Sequence, residues 1–181
     1  LNREEQAAWE RVQRRVRILC EATAKAGGRI LIDAEESWIQ DAIDALAEDM
    51  MSDYNREQVV VYTTAQMYRH DRLAYLRDMA ERAEEGGYGC GVKLVRGAYM
   101  EKERDRAEKR GYPSPIQPDK ASTDLDFDAA VVWVLQRLEK VHLVAGSHNE
   151  GSNFRLCELM AERGLEPGDA RVAFAQLLGM S

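Results

Sequence analysis

Apolar residues near the start of the chain recur three and four apart, at Trp9, Val12, Val16 and Leu19, with Thr23 ending the row. Charged residues fill the gaps, so residues 1–26 predict one amphipathic helix. Gly27-Gly28 supply its stop. The period then changes. "RILIDAE" (29–35) is a short apolar run ending in acids and predicts a buried strand. Helical spacing returns at Trp38, Ile39, Ile43, Leu46 and Met50. "VVVYTT" (59–64), rich in β-branched residues, is the next strand. Leu73, Leu76, Ala80 and Ala83 mark another helix, stopped by Gly86-Gly87. "GVKLVRG" (91–97) is the third strand, followed by a long connection holding "MEKERDRAEKRG" and the proline-rich "YPSPIQP". Phe127, Val131, Val134 and Leu138 predict a helix capped by Ser122 or Thr123. "HLVAG" (142–146) is the fourth strand. Phe154, Cys157 and Met160 line a helix ending at Gly164, and "RVAFAQ" (171–176) is the fifth strand.

Strands and helices therefore alternate, which predicts βαβ units and a parallel sheet. The strands are apolar on both faces, as a sheet covered by helices requires. Each strand also ends in polar residues: Asp33 and Glu35, Thr63-Thr64, Arg96, Ser147-His148-Asn149 and Gln176. That layout suits the mouth of a (β/α)8 TIM-type barrel, and an open doubly wound sheet puts its ligands at the same end. Five strands are fewer than the eight of a barrel. Further strands are expected before Leu1 and after Ser181, making residues 1–181 part of a single barrel domain.

Charge narrows the list of partners. The net charge of −7 argues against a broad nucleic-acid surface, which needs a basic face. The three cysteines lie far apart without metal-ligand spacing, which suits reduced thiols. No apolar run is long enough for a membrane helix.

The candidate chemistry begins with "VKLVRGAY" (92–99). Strand alternation puts Lys93 on one face and Arg96 on the other, nearer the C-terminal rim. A mid-strand cation needs an anionic partner, such as Asp33 or a bound electron-rich group. Asp33 itself reads either as a helix N-cap or as a carboxylate at the mouth. "GSHNEGSN" (146–153) follows a strand and opens a helix. It suits phosphate at a helix N-terminus, or a plain N-cap. "GGYGCG" (86–91) has the opposite placement and reads as a turn. Lys120 and Thr123 suit either a phosphate contact or an ordinary helix start.

"DAE", "KLVRGAYMEKERDRAEKRGYPSPIQP", "SHNEGSN" and "FAQLLGM", in this order, resemble the proline dehydrogenase (proline oxidase) family, nearest its stand-alone eukaryotic-type branch. The resemblance implies a distorted (β/α)8 barrel of which this chain supplies about strands three to seven, with FAD at the mouth. It implies oxidation of L-proline to Δ1-pyrroline-5-carboxylate by hydride transfer from C5 to flavin N5, with electrons passed to quinone. By the same resemblance, Asp33, Lys93 and Tyr99 are the catalytic candidates. Lys93, Arg96, Thr63, Ala98, Lys120, Thr123, Ser147, His148, Asn149, Gln176 and Leu178 are the cofactor-binding candidates, and no metal site is implied. Family members associate peripherally with the matrix face of the mitochondrial inner membrane or with the bacterial cytoplasmic membrane.

A 4-hydroxyproline dehydrogenase of the same branch, a non-catalytic barrel-derived domain and a Schiff-base aldolase built on Lys93 are the competing readings. The resemblance puts the lysine that partners the aspartate before Leu1, and the paired arginines that clamp the substrate carboxylate after Ser181. Residues 1–181 expressed alone are therefore expected to show no proline:quinone turnover, which a steady-state assay checks; robust turnover contradicts the expectation.

Overall fold

The structure, a computed structural model, describes residues 2–179, so Leu1 and the Met180 of "FAQLLGM" lie outside the described residues. The elements follow one another as α1 (Arg3–Lys25), β1 (Ile30–Ile32), α2 (Ser37–Tyr54), β2 (Val61–Gln66), α3 (Arg72–Gly86), β3 (Cys90–Val95), α4 (Met100–Arg110), α5 (Lys120–Leu135), β4 (Val141–Gly146), α6 (Glu150–Glu162) and β5 (Val172–Ala175). The strands form one sheet in the order β1-β2-β3-β4-β5, every pair parallel. A doubly wound sheet reverses its strand order partway; sequential order keeps the crossovers on one side and curls the sheet. The architecture is thus a half-barrel wall with helices outside it.

Register assigns the two faces. Thr64 pairs with Lys93 and Lys93 with Val144, so these side chains point inward together. Val61, Ala65, Cys90, Val92, Leu94, Leu143 and Ala145 point outward and form the core with α2, α3 and α5. Tyr62, equally buried, stands on the inner face beside Gly91. A Cβ on Gly91 would lie 2.5 Å from the Tyr62 ring, so glycine there gives the tyrosine its room.

Four local expectations change. The charged segment after β3 is not merely a connection but α4, and its Glu103 is fully buried. Glu103 accepts hydrogen bonds from the Ser37 amide (2.5 Å) and hydroxyl (2.7 Å). It serves as a remote cap for α2, whose own N-cap Glu36 makes no side-chain cap bond. Helix α5 is capped by Asp119, which accepts from the Ser122 amide at 2.7 Å, rather than by Ser122 or Thr123. On α6 the buried row is Leu156, Leu159 and Met160, whereas Phe154 is 69% exposed and Cys157 is exposed. On α1 the buried position is Cys20, flanked by the partly buried Trp9 and Val16, while Leu19 faces out.

Polar side chains carry much of the packing between elements. Asn55 ends α2 and is buried. Its Oδ1 accepts from the Val60 and Val61 amides, and its Nδ2 donates to the Val61 and Gly89 carbonyls, all at 2.8–3.0 Å. One side chain thus ties the ends of α2 and α3 to the starts of β2 and β3. Near the other end of the sheet, the Glu35 amide donates to Gln40 Oε1 (2.9 Å), and Gln40 Nε2 donates to Asp44 (2.8 Å). Arg72 then bridges Asp44 (2.6 Å) and Asp71 (2.9 Å), and Arg69 also grips Asp71 (2.6 Å).

Two outcomes follow. Asn55→Ala leaves buried backbone groups unpaired, each costing about 1–3 kcal/mol; urea titration should show a loss of about 3 kcal/mol. Burial pushes the Asp71 carboxyl up, but the Arg72 and Arg69 hydrogen bonds outweigh it and hold the group at about 2, below its ordinary 3.8. A depressed folded value adds stability above the unfolded value, and that stability is lost as pH falls from about 4 to about 2. Asp71→Asn should flatten this acid limb in pH-dependent unfolding; an unchanged limb contradicts the assignment.

Candidate active site

The C-terminal ends of the five strands bring together two polar clusters. The first lies on the inner face. Lys93 projects from mid-β3, its side chain 18% exposed, and forms an ion pair with Asp33 just past β1. Thr64 Oγ1 donates to the same carboxylate oxygen at 3.3 Å. An inner-face cation thus meets its anion through the parallel register β1-β2-β3, as its partial burial demands. Thr63, expected here, points the other way: it is fully buried toward the helices and its hydroxyl has no partner. Thr64, one residue on, is the threonine that faces Lys93.

Tyr99 sits beyond β3, where its hydroxyl donates to Glu35 Oε2 at 2.6 Å. That bond to a carboxylate, helped by burial, pushes the phenol up to about 12, so Tyr99 stays protonated as a donor at neutral pH. Ala98, next to it, is exposed, but its amide donates to Gln66 Oε1 at 3.1 Å. Gly97 has φ of +136° and packs against the Tyr68 ring, where a Cβ would lie 2.5 Å from ring atoms. Only glycine lets the chain turn there.

The second cluster centres on Arg96. Its guanidinium donates to Asp124 Oδ1 (2.6 Å), Ser147 Oγ (2.7 Å) and Ser152 Oγ (2.9 Å) and lies 4.5 Å from the Phe127 ring centroid. All three of its nitrogens are therefore engaged within the protein. Lys120 donates to the other Asp124 oxygen at 2.5 Å. Burial pushes Asp124 up, but the hydrogen bonds from Lys120 and Arg96 leave it below the usual carboxylate value. Ser147 Oγ accepts from the Asn149 amide (3.0 Å), and Asn149 caps α6 through the Ser152 amide (3.0 Å). The Ser147 carbonyl accepts from Asn153 (3.1 Å) and Gln176 (3.2 Å). His148 Nε2 accepts from the Leu177 amide at 3.1 Å.

The structure therefore gathers Asp33 with Lys93, and Arg96 with Lys120, Ser147, Asn149 and Gln176. It does not gather three of the expected residues. Thr63 faces the helices, Thr123 returns its hydroxyl to the Asp119 carbonyl of its own helix (3.2 Å), and Leu178 stands fully in solvent. The sequence marks Glu35 and Thr64 only as polar strand ends, without a role, and gives no sign of a role for Gln66, Asp124 or Ser152. Glu35 and Ser152 lay inside the quoted motifs, and Thr64 follows from matching its face to that of Lys93. No short-range signal points to Asp124, which is 28 residues from Arg96.

The model of the family described as proline dehydrogenase matches residues 2–181. Proline dehydrogenase 1, mitochondrial, of Drosophila melanogaster is 34% identical over 97% of this chain, and the match spans 27% of that protein. Hydroxyproline dehydrogenase of Xenopus laevis is 37% identical over 93% of this chain and 37% of its own length. The chain thus spans about a third or less of these relatives. Proline utilization A from Bdellovibrio bacteriovorus, solved after inactivation by N-propargylglycine, superposes with a TM-score of 0.85 at 22% identity, over 97% of this chain and 18% of that one; it bears on fold alone. With the family match running through both clusters and the wall beneath them, this chain belongs to the proline dehydrogenase family.

Proposed function

We propose that this chain is the substrate- and flavin-facing wall of an FAD-dependent enzyme that oxidises L-proline to Δ1-pyrroline-5-carboxylate and passes electrons to quinone. The observation that carries the reading is the Lys93–Asp33 pair with Thr64 on the inner face, at the mouth of a wall whose whole length matches the family. The donor set suits an anionic cofactor. In a protein of net charge −7, the C-terminal end of the sheet gathers Lys93 on Asp33 and, beside the N-terminus of α6, Arg96 and Lys120 on Asp124.

A bound flavin would supply the redox chemistry, that of a hydride acceptor for proline C5. The chain's own residues position and polarise. Asp33 offers a carboxylate to the substrate pocket, and Lys93 holds that carboxylate while presenting positive charge where electron density increases. Tyr99, kept protonated by Glu35, and Ala98 wall the pocket. Arg96 organises the Ser147–Asn149 turn through Ser147 and Ser152, leaving His148, Asn149 and the start of α6 to face the ribityl and phosphate region. Gln176, tied to the Ser147 carbonyl, would border the flavin ring on the β5 side. No residue need act as a strong base if proline binds with a neutral amine.

The second reading, oxidation of 4-hydroxyproline, is favoured by one observation: a relative of that name is as similar as those named for proline. The relatives' names support a mitochondrial setting, and peripheral contact with the matrix face of the inner membrane or with a bacterial cytoplasmic membrane belongs to the same proposal. Among the described residues no helix is long and apolar enough to cross a membrane.

Steady-state quinone reduction by the full-length protein tests the proposal. We expect kcat/KM for L-proline to exceed that for 4-hydroxyproline, and Asp33→Asn to lower it by about 10²-fold, within the range for an oriented charged contact in a closed site. The reverse preference selects the second reading, and no turnover with either substrate contradicts both.

A further inference from the structure

Glu35 is held at every polar group it has. Its amide donates to buried Gln40 (2.9 Å), its carbonyl accepts from Gln66 Nε2 (2.8 Å), and its carboxylate accepts from Tyr99 (2.6 Å). Gln66, at the end of β2, is 3% exposed. Its other amide atom, Oε1, accepts from the Ala98 amide at 3.1 Å. Ala98 and Tyr99 are neighbours in the chain, so Gln66, Glu35, Tyr99 and Ala98 close a hydrogen-bonded ring. The ring joins the β1–α2 segment, which carries Asp33, to the β3–α4 segment, which carries Tyr99.

We propose that Gln66 is a positioning residue for the mouth: its buried amide fixes the spacing of these two segments and so sets Tyr99 on Glu35 beside Asp33. The assignment depends on amide chemistry. One end must donate to a carbonyl and the other must accept from an N–H, which a carboxylate or a thioether cannot do together. Three neighbouring contacts act in the same direction. The Met67 amide donates to the Val95 carbonyl (2.8 Å), the Tyr68 amide donates to the Arg96 carbonyl (2.7 Å), and Gly97 passes against the Tyr68 ring. The end of β2 thus tracks the chain that leads to Tyr99, and Gln66 alone reaches across to Glu35 as well. A general packing role would require none of this pairing. The consequence for turnover rests on the function proposed above; the geometric assignment does not.

The test uses the full-length flavoprotein. Tyr99 ionisation is isolated by subtracting the ultraviolet pH difference spectrum of the matching Tyr99→Phe protein. With the ring intact, Tyr99 should remain un-ionised at about pH 10, the ordinary tyrosine value. Gln66→Met, folded by circular dichroism and with native flavin content, should show Tyr99 about half ionised at that pH. It should also raise KM for proline about tenfold with a smaller change in kcat. Should the methionine variant fail to fold, Gln66→Asn keeps the amide but shortens its reach, and the same ionisation is expected. A folded variant whose Tyr99 stays silent at about pH 10 overturns the proposal. Wild-type protein without proline turnover overturns the functional reading alone, since the ionisation result still decides the role of Gln66.

Discussion

A positive charge on the inner face of a barrel strand has to be met, and the rest of the mouth follows from how Lys93 is met. Burying part of an ammonium group without a partner would cost several kcal/mol. The parallel register brings Asp33 to it from two strands away, with Thr64 on the strand between. That pair fixes which face of the sheet is chemical and which is structural. The opposite face carries Val92 and Leu94 into the helix layer, with the buried Thr63 as a polar exception on β2.

Holding Asp33 over Lys93 requires the segment after β1 to be rigid, and three devices do this from different directions. The remote cap by Glu103 fixes the start of α2 from α4. Gln40, Asp44 and Arg72 secure the same segment from the helix side. Gln66 secures it from the sheet. All three are buried, where a hydrogen bond left unmade costs more than an exposed ion pair contributes. The cations of α4 over Trp38, and the Lys102–Glu36 pair, sit on the surface above them and add less.

Much of this was legible in the sequence. The alternation of apolar runs gives all five strands, and the polar residues at their ends mark the mouth. A barrel and a doubly wound sheet share that pattern, and only the sequential strand order separates them. Local periodicity failed where long-range burial decides. The segment "MEKERDRAEKRG" has almost no apolar stripe, yet it is a helix of strong helix formers whose Glu103 and Ala107 face inward. Phe154 looked like core by spacing but faces out, since Leu156, Leu159 and Met160 already fill that side. In the site, Asp33 with Lys93 could be foreseen because a mid-strand charge demands an anion. That Thr63 faces the helices and Thr64 faces Lys93 depends on register with β3, which no single strand contains. The Arg96 cluster draws on α5 and α6 together, so its full set of partners emerges only from the fold.

In the proposed oxidation, everything turns on the inner-face charge that Lys93 supplies. The most direct measurement is rapid-mixing bleaching of the bound flavin by proline in full-length Lys93→Met protein. We expect a folded, flavin-containing protein whose bleaching is slower by about 10²-fold or more, the loss expected when a pre-organised charge is removed from a reacting centre. Bleaching at the wild-type rate in that protein would contradict it.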